Sequence, residues 1–369
     1  MKIIGLFTYY RSNYGAALQA YALKAFIEYN FDNTKVIIVD FYKKTNYPIC
    51  AFQSKSFIKR IFKYLFVFSH YFEIRRRNRK HVLFNENYLK HERYCFSLDR
   101  KFNSFPLFDI YLTGSDQVFN IRHNEYKQLF FQQFQIKSGI KVAYAPSFGQ
   151  SDFTEKEKAI IKSLTCGFDF LSCRESDGAS MLSKIHCKDI PCVIDPTLLL
   201  TLEQWSTMMV VPNTNDKYLL IYDLNGGRPM LNFARRLAAE NKLKIYCITR
   251  HPDICFIYNG IDKVIYDAGP REFVGYFSKA SYVVTDSFHG TAFSIIFRKN
   301  FYTYIALPKA SKRIKSLLEI CGLLNRIIEN DVFFKNDNDC FAHFDSTAFN
   351  KYRSQSISYI TSFMQCDDI

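Results

Sequence analysis

The residues best suited to chemistry lie in the run Ser287-Phe288-His289-Gly290-Thr291, between two apolar stretches. The stretch before it is typical of a buried strand and the stretch after it of a helix, so the run forms a strand-to-helix corner. In an open parallel sheet, such a corner faces the ligand crevice. The free N–H groups of a helix start favour an anion, and the His289 imidazole moves protons near neutral pH. We predict a site for an anionic substrate whose reaction needs an acid or a base.

The residues of this corner also have structural interpretations. His289 suits a general acid or base beside an anionic group, and a core histidine at a helix start is the alternative. Ser287 and Thr291 offer hydroxyls to an anion, although Ser287 or Asp286 is also suited to cap the helix. Arg313 follows a later strand, near the start of a predicted helix. A cation there opposes the helix dipole, so a bound anion would explain it better than helix stability.

A second group of polar residues ends apolar runs in the first 200 residues: Asn13, Gly15, Asp116, Ser147 and Arg174. Each follows a predicted strand, and the carboxyl ends of parallel strands meet at one edge of a sheet. Glycine lets a backbone approach a ligand closely, yet a tight turn alone also explains Gly15. We expect Asn13, Asp116 and Ser147 to lie beside a second substrate, whereas Arg174 anchors the carboxylate or phosphate of the anionic one.

Two members of this group carry charge. The Arg174 guanidinium is able to grip a carboxylate or phosphate through two hydrogen bonds. The alternative is a surface ion pair with Glu175 or Asp177, which would contribute little stability. Asp116 is a candidate base, and the alternative is that it caps the next helix.

The alternation of strand, polar corner and helix predicts an α/β fold with doubly wound parallel sheets. A polar junction near 202–216 divides the chain. We predict an N-terminal α/β domain over 1–205 with a basic, aromatic insertion at 52–100. A C-terminal α/β domain follows over 206–340, and a closing helix over 341–369. We expect a crevice between the two domains.

Composition narrows the function classes. Hydrophobic residues make up 48% of the 369 residues, which excludes global disorder, and the net charge of +14 favours anionic partners. The eleven cysteines contain no CxxC pair, so we expect neither a zinc site nor a disulfide framework. We expect free thiols in a reducing cytosol instead. The apolar stretch at the first residues is too short for a signal peptide. No run of about 20 apolar residues, the length needed to span a bilayer, occurs.

The segment from Lys55 to Lys80 interleaves aromatic residues with lysine and arginine. It has three interpretations: a solvated face of an ordinary helix, an interfacial helix on anionic lipid, or a nucleic-acid contact. No other feature is typical of a nucleic-acid-binding module, so we expect no such partner. Peripheral contact with the inner face of the membrane stays open.

Six of the corners carry recurring motifs, and together these motifs resemble the polysaccharide pyruvyl transferase family. The resemblance runs from about Ile3 to about Arg326. Its elements, in order, are Asn13-Tyr14-Gly15-Ala16-Ala17-Leu18-Gln19-Ala20, Gly114-Ser115-Asp116-Gln117-Val118-Phe119-Asn120, Tyr144-Ala145-Pro146-Ser147-Phe148-Gly149, Arg174-Glu175-Ser176-Asp177-Gly178, Asp195-Pro196-Thr197-Leu198-Leu199-Leu200 and Asp286-Ser287-Phe288-His289-Gly290-Thr291.

This resemblance implies a GT-B-type pair of Rossmann-like domains. It also implies transfer of the enolpyruvyl unit of phosphoenolpyruvate onto a sugar, as a ketal, in capsule, exopolysaccharide or cell-wall synthesis. No metal or cofactor beyond this donor is expected, and the acceptor includes lipid-linked oligosaccharides as one option. Some relatives carry an acidic residue where this chain has Ala16. Ala16 therefore leaves a non-catalytic relative as one alternative. A sugar-nucleotide-dependent glycosyltransferase is another, because a fold does not determine its chemistry.

Overall fold

The computed structural model describes residues 1–11, 13–40, 68–89, 107–122, 126–150, 152–224, 227–249, 260–305, 308–328 and 340–366, with only the backbone at 308–311. These residues form two compact units. The first unit contains the described residues within 1–44, 85–200 and 345–369, and the second those within 45–84 and 201–344.

The strands are, in chain order, β1 (Lys2–Phe7), β2 (Thr34–Ile38), β3 (Ile110–Thr113), β4 (Ile140–Ala143), β5 (Phe170–Leu171), β6 (Tyr218–Asp223), β7 (Lys244–Thr249), β8 (Lys263–Ile265), β9 (Tyr282–Thr285), β10 (Asn300–Tyr304) and β11 (Ile327–Ile328). The α-helices are α1 (Tyr14–Asn30), α2 (Tyr71–Phe84), α3 (Lys127–Phe130), α4 (Glu155–Thr165), α5 (Ser176–His186), α6 (Leu202–Met208), α7 (Arg228–Glu240), α8 (Pro270–Lys279), α9 (Phe288–Ile296), α10 (Pro308–Ile320) and α11 (Ser346–Met364).

The first unit is built on a parallel sheet in the order β2-β1-β3-β4-β5. Strands β1, β3 and β4 are almost wholly apolar because helices cover both faces of such a sheet. Gly5 lies in the interior strand β1 with the Phe108 ring against it, and a Cβ there would lie 2.4 Å from ring carbons. Because all its strands run parallel, β1, β3, β4 and β5 end at one common edge of the sheet.

The second unit has a parallel sheet in the order β11-β10-β9-β6-β7-β8. Helix α7 packs its apolar face on β6, β7 and β9. On the α8 and α9 side, the only tryptophan, Trp205, is fully buried against Phe293, with ring centroids 4.9 Å apart. Strand β9 is central and leads directly into α9, as the sequence predicts.

The predicted domain limits differ from the observed units in three places. The division falls after Leu200 rather than at 205, and the last helix is part of the first unit. There, the Tyr359 hydroxyl of α11 donates to the Ala143 carbonyl at 3.0 Å, and Ser356 Oγ accepts from the Ile194 amide at 3.0 Å. The third difference is that residues 68–84 of the insertion belong to the second unit. The rest of the insertion, except 85–89, lies outside the described residues.

The apolar run Cys192-Val193-Ile194 before Asp195 predicts a strand, and this prediction is wrong. Residues 192–194 form only a single bridge, between Cys192 and Cys173. The Ile194 amide cannot extend a ladder because it donates to Ser356 of α11.

In the part of the chain that the structure describes, no helix combines the length and apolar character needed to cross a membrane.

Candidate functional site

The corner after β1 holds the predicted residues Asn13 and Gly15. Asn13 is the N-cap of α1, and its side-chain Oδ1 accepts from the Gly15 amide at 2.9 Å and the Ala16 amide at 3.4 Å. The side chain thus satisfies amides that a helix start leaves open. Gly15 is buried in the first turn of α1, whereas Asn13 is exposed.

The corners after β3 and β4 are joined by their backbones. The Ser147 amide donates to the Asp116 carbonyl at 2.8 Å, and the Ser147 hydroxyl accepts from the Gly149 amide at 3.1 Å. Asp116 has φ of 70° and Gly114 has φ of 123°, in a region that side chains rarely adopt. A Cβ on Gly114 would lie 2.0 Å from the Tyr144 carbonyl oxygen. Glycine is therefore required for this corner to turn Asp116 toward Ser147.

Arg174 lies after β5 in a cluster of carboxylates. Its Nη1 is 2.6 Å from Asp195 Oδ2, its Nε is 3.6 Å from Glu175 Oε1, and its Nη2 is 3.9 Å from Asp116 Oδ1. The Arg174 side chain is only 2% exposed and Asp195 is fully enclosed, whereas Asp116 is 18% exposed. Asp116 is therefore the most exposed carboxylate of this cluster.

The electrostatics of this cluster follow from its composition. Burial alone would lower the pKa of Arg174, but the carboxylates of Asp195, Glu175 and Asp116 raise it above its ordinary value. The guanidinium is therefore charged at any physiological pH. One cation faces three carboxylates, so ionised carboxylates would leave the cluster with an excess of negative charge.

Further hydrogen bonds extend the cluster across the sheet edge. The Ser115 hydroxyl donates to the Ala145 carbonyl at 2.7 Å and lies 3.4 Å from Asp195 Oδ2. The Ser115 amide donates to Gln19 Oε1 of α1 at 3.1 Å, and Gln19 Nε2 donates to Thr8 Oγ1 at 2.8 Å. Residues from all five motifs of the first unit thus meet in one largely buried network.

Asp195 is the residue to which sequence reasoning assigned no role. Its Oδ1 accepts from the Thr197 amide and hydroxyl, at 3.0 and 2.7 Å, and its Oδ2 from Arg174. The available signal was the Asp-Pro pair directly after an apolar run. The pattern marked a corner, but it did not indicate that the side chain reaches Arg174.

In the second unit, β9 leads into α9 at Ser287. His289 is in the first turn of α9 and is 9% exposed, with its ring perpendicular to that of Phe288 at 5.3 Å. The first turn contains no acidic residue. Gly290 sits directly against β9, and a Cβ on it would lie 2.3 Å from Thr285 Oγ1. This close contact fixes the start of the helix, and with it His289, at the carboxyl end of β9.

The two hydroxyls of this corner, on Ser287 and Thr291, differ in their hydrogen bonding. Ser287 is the N-cap residue, but its side chain makes no capping hydrogen bond. Thr291 is fully buried, and its hydroxyl lies 3.0 Å from the Ser287 carbonyl and 2.8 Å from the Thr303 hydroxyl. Asp286 Oδ1 accepts from the Leu224 amide at 2.9 Å. Thr291 thus stabilises the corner internally, and its contact with a substrate stays a prediction.

Arg313 is half-buried in α10, a helix that packs against α9. The structure therefore groups Ser287, His289 and Thr291 at one corner and Arg313 on the adjacent helix. Asn13, Gly15, Asp116, Ser147 and Arg174 share the sheet edge of the first unit. Within the described residues, no three His, Cys, Asp or Glu side chains are placed to hold a metal ion.

Comparison with solved structures shows the fold. A co-structure of S. aureus MnaA with UDP is similar over 98% of both chains, with 14% sequence identity and a TM-score of 0.50. A putative UDP-N-acetylglucosamine 2-epimerase from Listeria monocytogenes has 11% identity and a TM-score of 0.49, over 100% of this chain and 97% of that chain. The E. coli heptosyltransferase WaaC with ADP-2-deoxy-2-fluoro heptose has 10% identity and a TM-score of 0.41, over 96% and 99%.

The predicted fold class, two Rossmann-like α/β domains of GT-B type, is confirmed by the first of these likenesses and by the two parallel sheets. No curated protein matches the chain. A family comparison is more specific, since polysaccharide pyruvyl transferase matches residues 13–306, a range that includes every predicted site residue except Arg313. The chain belongs to the polysaccharide pyruvyl transferase family.

Proposed function

We propose that the protein transfers the enolpyruvyl unit of phosphoenolpyruvate onto a sugar as a pyruvate ketal, during synthesis of a capsule, exopolysaccharide or cell-wall polymer. Family membership supports the transferase class. The observation that carries the assignment of substrates is the division of charge between the two groups of residues. The Arg174 cluster has more carboxylates than cations, whereas the first turn of α9 contains the His289 imidazole and no acidic residue.

The reaction sets the requirements for both groups. A proton adds to the methylene carbon of phosphoenolpyruvate, and the carbon that bears the phosphate becomes cationic. One sugar hydroxyl attacks this carbon, inorganic phosphate leaves, and a second hydroxyl closes the ketal. The two hydroxyl protons replace the proton given to the methylene carbon and the one taken up by phosphate. The protein must supply an acid, a base and partners for two anionic groups.

The second unit is our proposed donor side. The amides at the start of α9 favour a carboxylate or phosphate, and Ser287 adds a hydroxyl that is not used in capping. His289 is placed in this first turn to protonate the methylene carbon or to stabilise the departing phosphate. Arg313, on the packed helix α10, is the proposed additional cation. The largest contribution to catalysis would come from His289.

The first unit is our proposed acceptor side. Neutral sugar hydroxyls suit a cluster rich in carboxylates, which would repel a donor that carries both a carboxylate and a phosphate. Asp116 is the proposed base because it is the most exposed carboxylate of the cluster. Asn13, Gly15 and Ser147 border the same sheet edge. Arg174 holds the carboxylates, and its predicted direct contact with the donor stays a prediction.

Variants of two histidines in the second unit test the donor assignment. We expect the purified protein to add the mass of a pyruvate ketal to oligosaccharide acceptors, lipid-linked ones included, when phosphoenolpyruvate is present. His289→Ala should lower kcat by 10²-fold or more, the usual contribution of a general acid. His343→Ala, at an exposed position of the same unit, should retain full activity. Full activity of His289→Ala would refute its role.

Ligand binding separates the proposed function from its alternatives. Phosphoenolpyruvate should raise the melting temperature of the wild type, and Asp116→Asn should bind it unchanged but fail to turn over. Stabilisation by sugar nucleotides instead of phosphoenolpyruvate would indicate a glycosyltransferase. Binding of phosphoenolpyruvate without turnover on any acceptor would indicate a non-catalytic relative.

A further inference from the structure

Helix α2 presents an unusual outer face. Phe72, Arg75, Arg79 and Leu83 follow the three- and four-residue spacing of one helix face, and Phe68 precedes the helix on the same spacing. All five residues are exposed, and the fractions reach 85% for Phe68 and 74% for Phe72. We call this set the arginine–phenylalanine face. Large aromatic side chains so exposed on a basic helix call for a partner.

The opposite face of α2 is fixed to the second unit. Ile74 is buried against Tyr266 and Val264, next to β8. His81 and Phe84 are buried as well. On the flank of the helix, Lys80 Nζ lies 3.0 Å from Glu272 Oε1 of α8, and the exposed Arg76 has its Nε 3.5 Å from Asp267 Oδ2. These contacts set the rotation of the helix about its axis. The arginine–phenylalanine face therefore points outward because the other side is packed.

The chemistry of this face matches one kind of partner. It contains two arginines and no acidic residue, so it is complementary to an anionic surface. Its phenylalanines and leucine are apolar and gain nothing from a charged surface alone, but they suit the boundary between lipid headgroups and acyl chains. Arginine side chains extend their guanidinium groups to phosphates while their stems stay in apolar surroundings. We propose that α2 docks the protein on an anionic lipid bilayer through this face.

Two other occupants fit less well. A symmetric contact with a second copy would place the same face against itself and bring arginines close to arginines. A nucleic acid would use aromatic rings for stacking and arginines for phosphates, but Leu83 has no ring to stack. A bilayer accommodates all five side chains. None of these five residues is among those assigned to the reaction. The proposal therefore does not depend on the proposed function.

Vesicle sedimentation tests the proposal with the full-length protein. We expect it to pellet with vesicles of phosphatidylcholine and phosphatidylglycerol, but not of phosphatidylcholine alone, and less so as salt rises. Arg75→Gln/Arg79→Gln should weaken binding roughly 25-fold, about fivefold per arginine, since each basic residue contributes about 1 kcal/mol. Phe72→Ala/Leu83→Ala should weaken it by about tenfold or more. These positions are exposed, so the variants should fold normally.

The matched control is Lys279→Gln/Leu324→Ala, which removes one exposed cation and one exposed apolar side chain elsewhere in the second unit. It should bind vesicles like the wild type. The proposal is overturned if the face variants and this control pellet equally, or if neutral vesicles bind as well as anionic ones. It is also overturned if the face variants leave vesicle binding intact and instead abolish self-association or binding of a single-stranded oligonucleotide.

Discussion

The buried ion pair between Arg174 and Asp195 allows the loss of unfolding free energy in an Arg174 variant to be predicted. Both side chains are enclosed, with 2% and 0% of their side-chain surface exposed, and the Nη1–Oδ2 distance is 2.6 Å. Removing one partner of such a pair leaves a buried charge without compensation and costs about 3–5 kcal/mol. We expect Arg174→Met to destabilise the first unit by about that much. For a domain of this size, the melting temperature should fall by roughly 6–20 °C.

Differential scanning calorimetry of the full chain would measure this loss. The matched control is Arg122→Met, which removes an ion pair with Glu157 in the same unit, at 2.7 Å but with side chains 38% and 18% exposed. Exposed pairs contribute little, so its melting temperature should change much less. A double variant, Arg174→Met/Asp195→Leu, should recover part of the loss because the uncompensated Asp195 carboxylate is gone. Equal shifts for Arg174→Met and Arg122→Met would refute the reasoning.

Two further predictions concern packing and thiol chemistry. Gly290→Ala should lower the melting temperature of the second unit, because the added Cβ would meet Thr285 Oγ1 at 2.3 Å; an unchanged melting curve in calorimetry would contradict this close contact. Iodoacetamide at pH 8 should label the exposed Cys166 and Cys187 of the native protein but spare Cys192, whose pKa burial raises to about 11. Peptide mass spectrometry would check this, and labelling of Cys192 at the same rate would contradict it.

The sequence was sufficient to predict the corners, because each one lies where an apolar run meets a polar cluster. Strand β9, the start of α9 at Phe288 and the position of His289 agree with the pattern. The same holds for Asn13 at the start of α1. These are local features, and the balance of apolar runs and helix caps determines them.

Contacts between distant residues could not be predicted in the same way. Arg174 has acidic neighbours in the sequence, yet its shortest contact is to Asp195, 21 positions away. The last helix was predicted as a separate element, but a lone amphipathic helix must bury its apolar face, and α11 buries Phe363 in the first unit. For α2, the pattern showed a basic, aromatic segment, while only its packing on Tyr266 reveals which residues face outward.

The central claim is that phosphoenolpyruvate is the donor and that His289 acts on it. The most direct measurement is NMR of a reaction with ¹³C-labelled phosphoenolpyruvate and a mixture of oligosaccharide acceptors. We predict a ketal carbon signal and inorganic phosphate in equal amounts, both greatly reduced by His289→Ala and unchanged by His343→Ala. Phosphoenolpyruvate left intact while a sugar nucleotide is consumed would contradict the account.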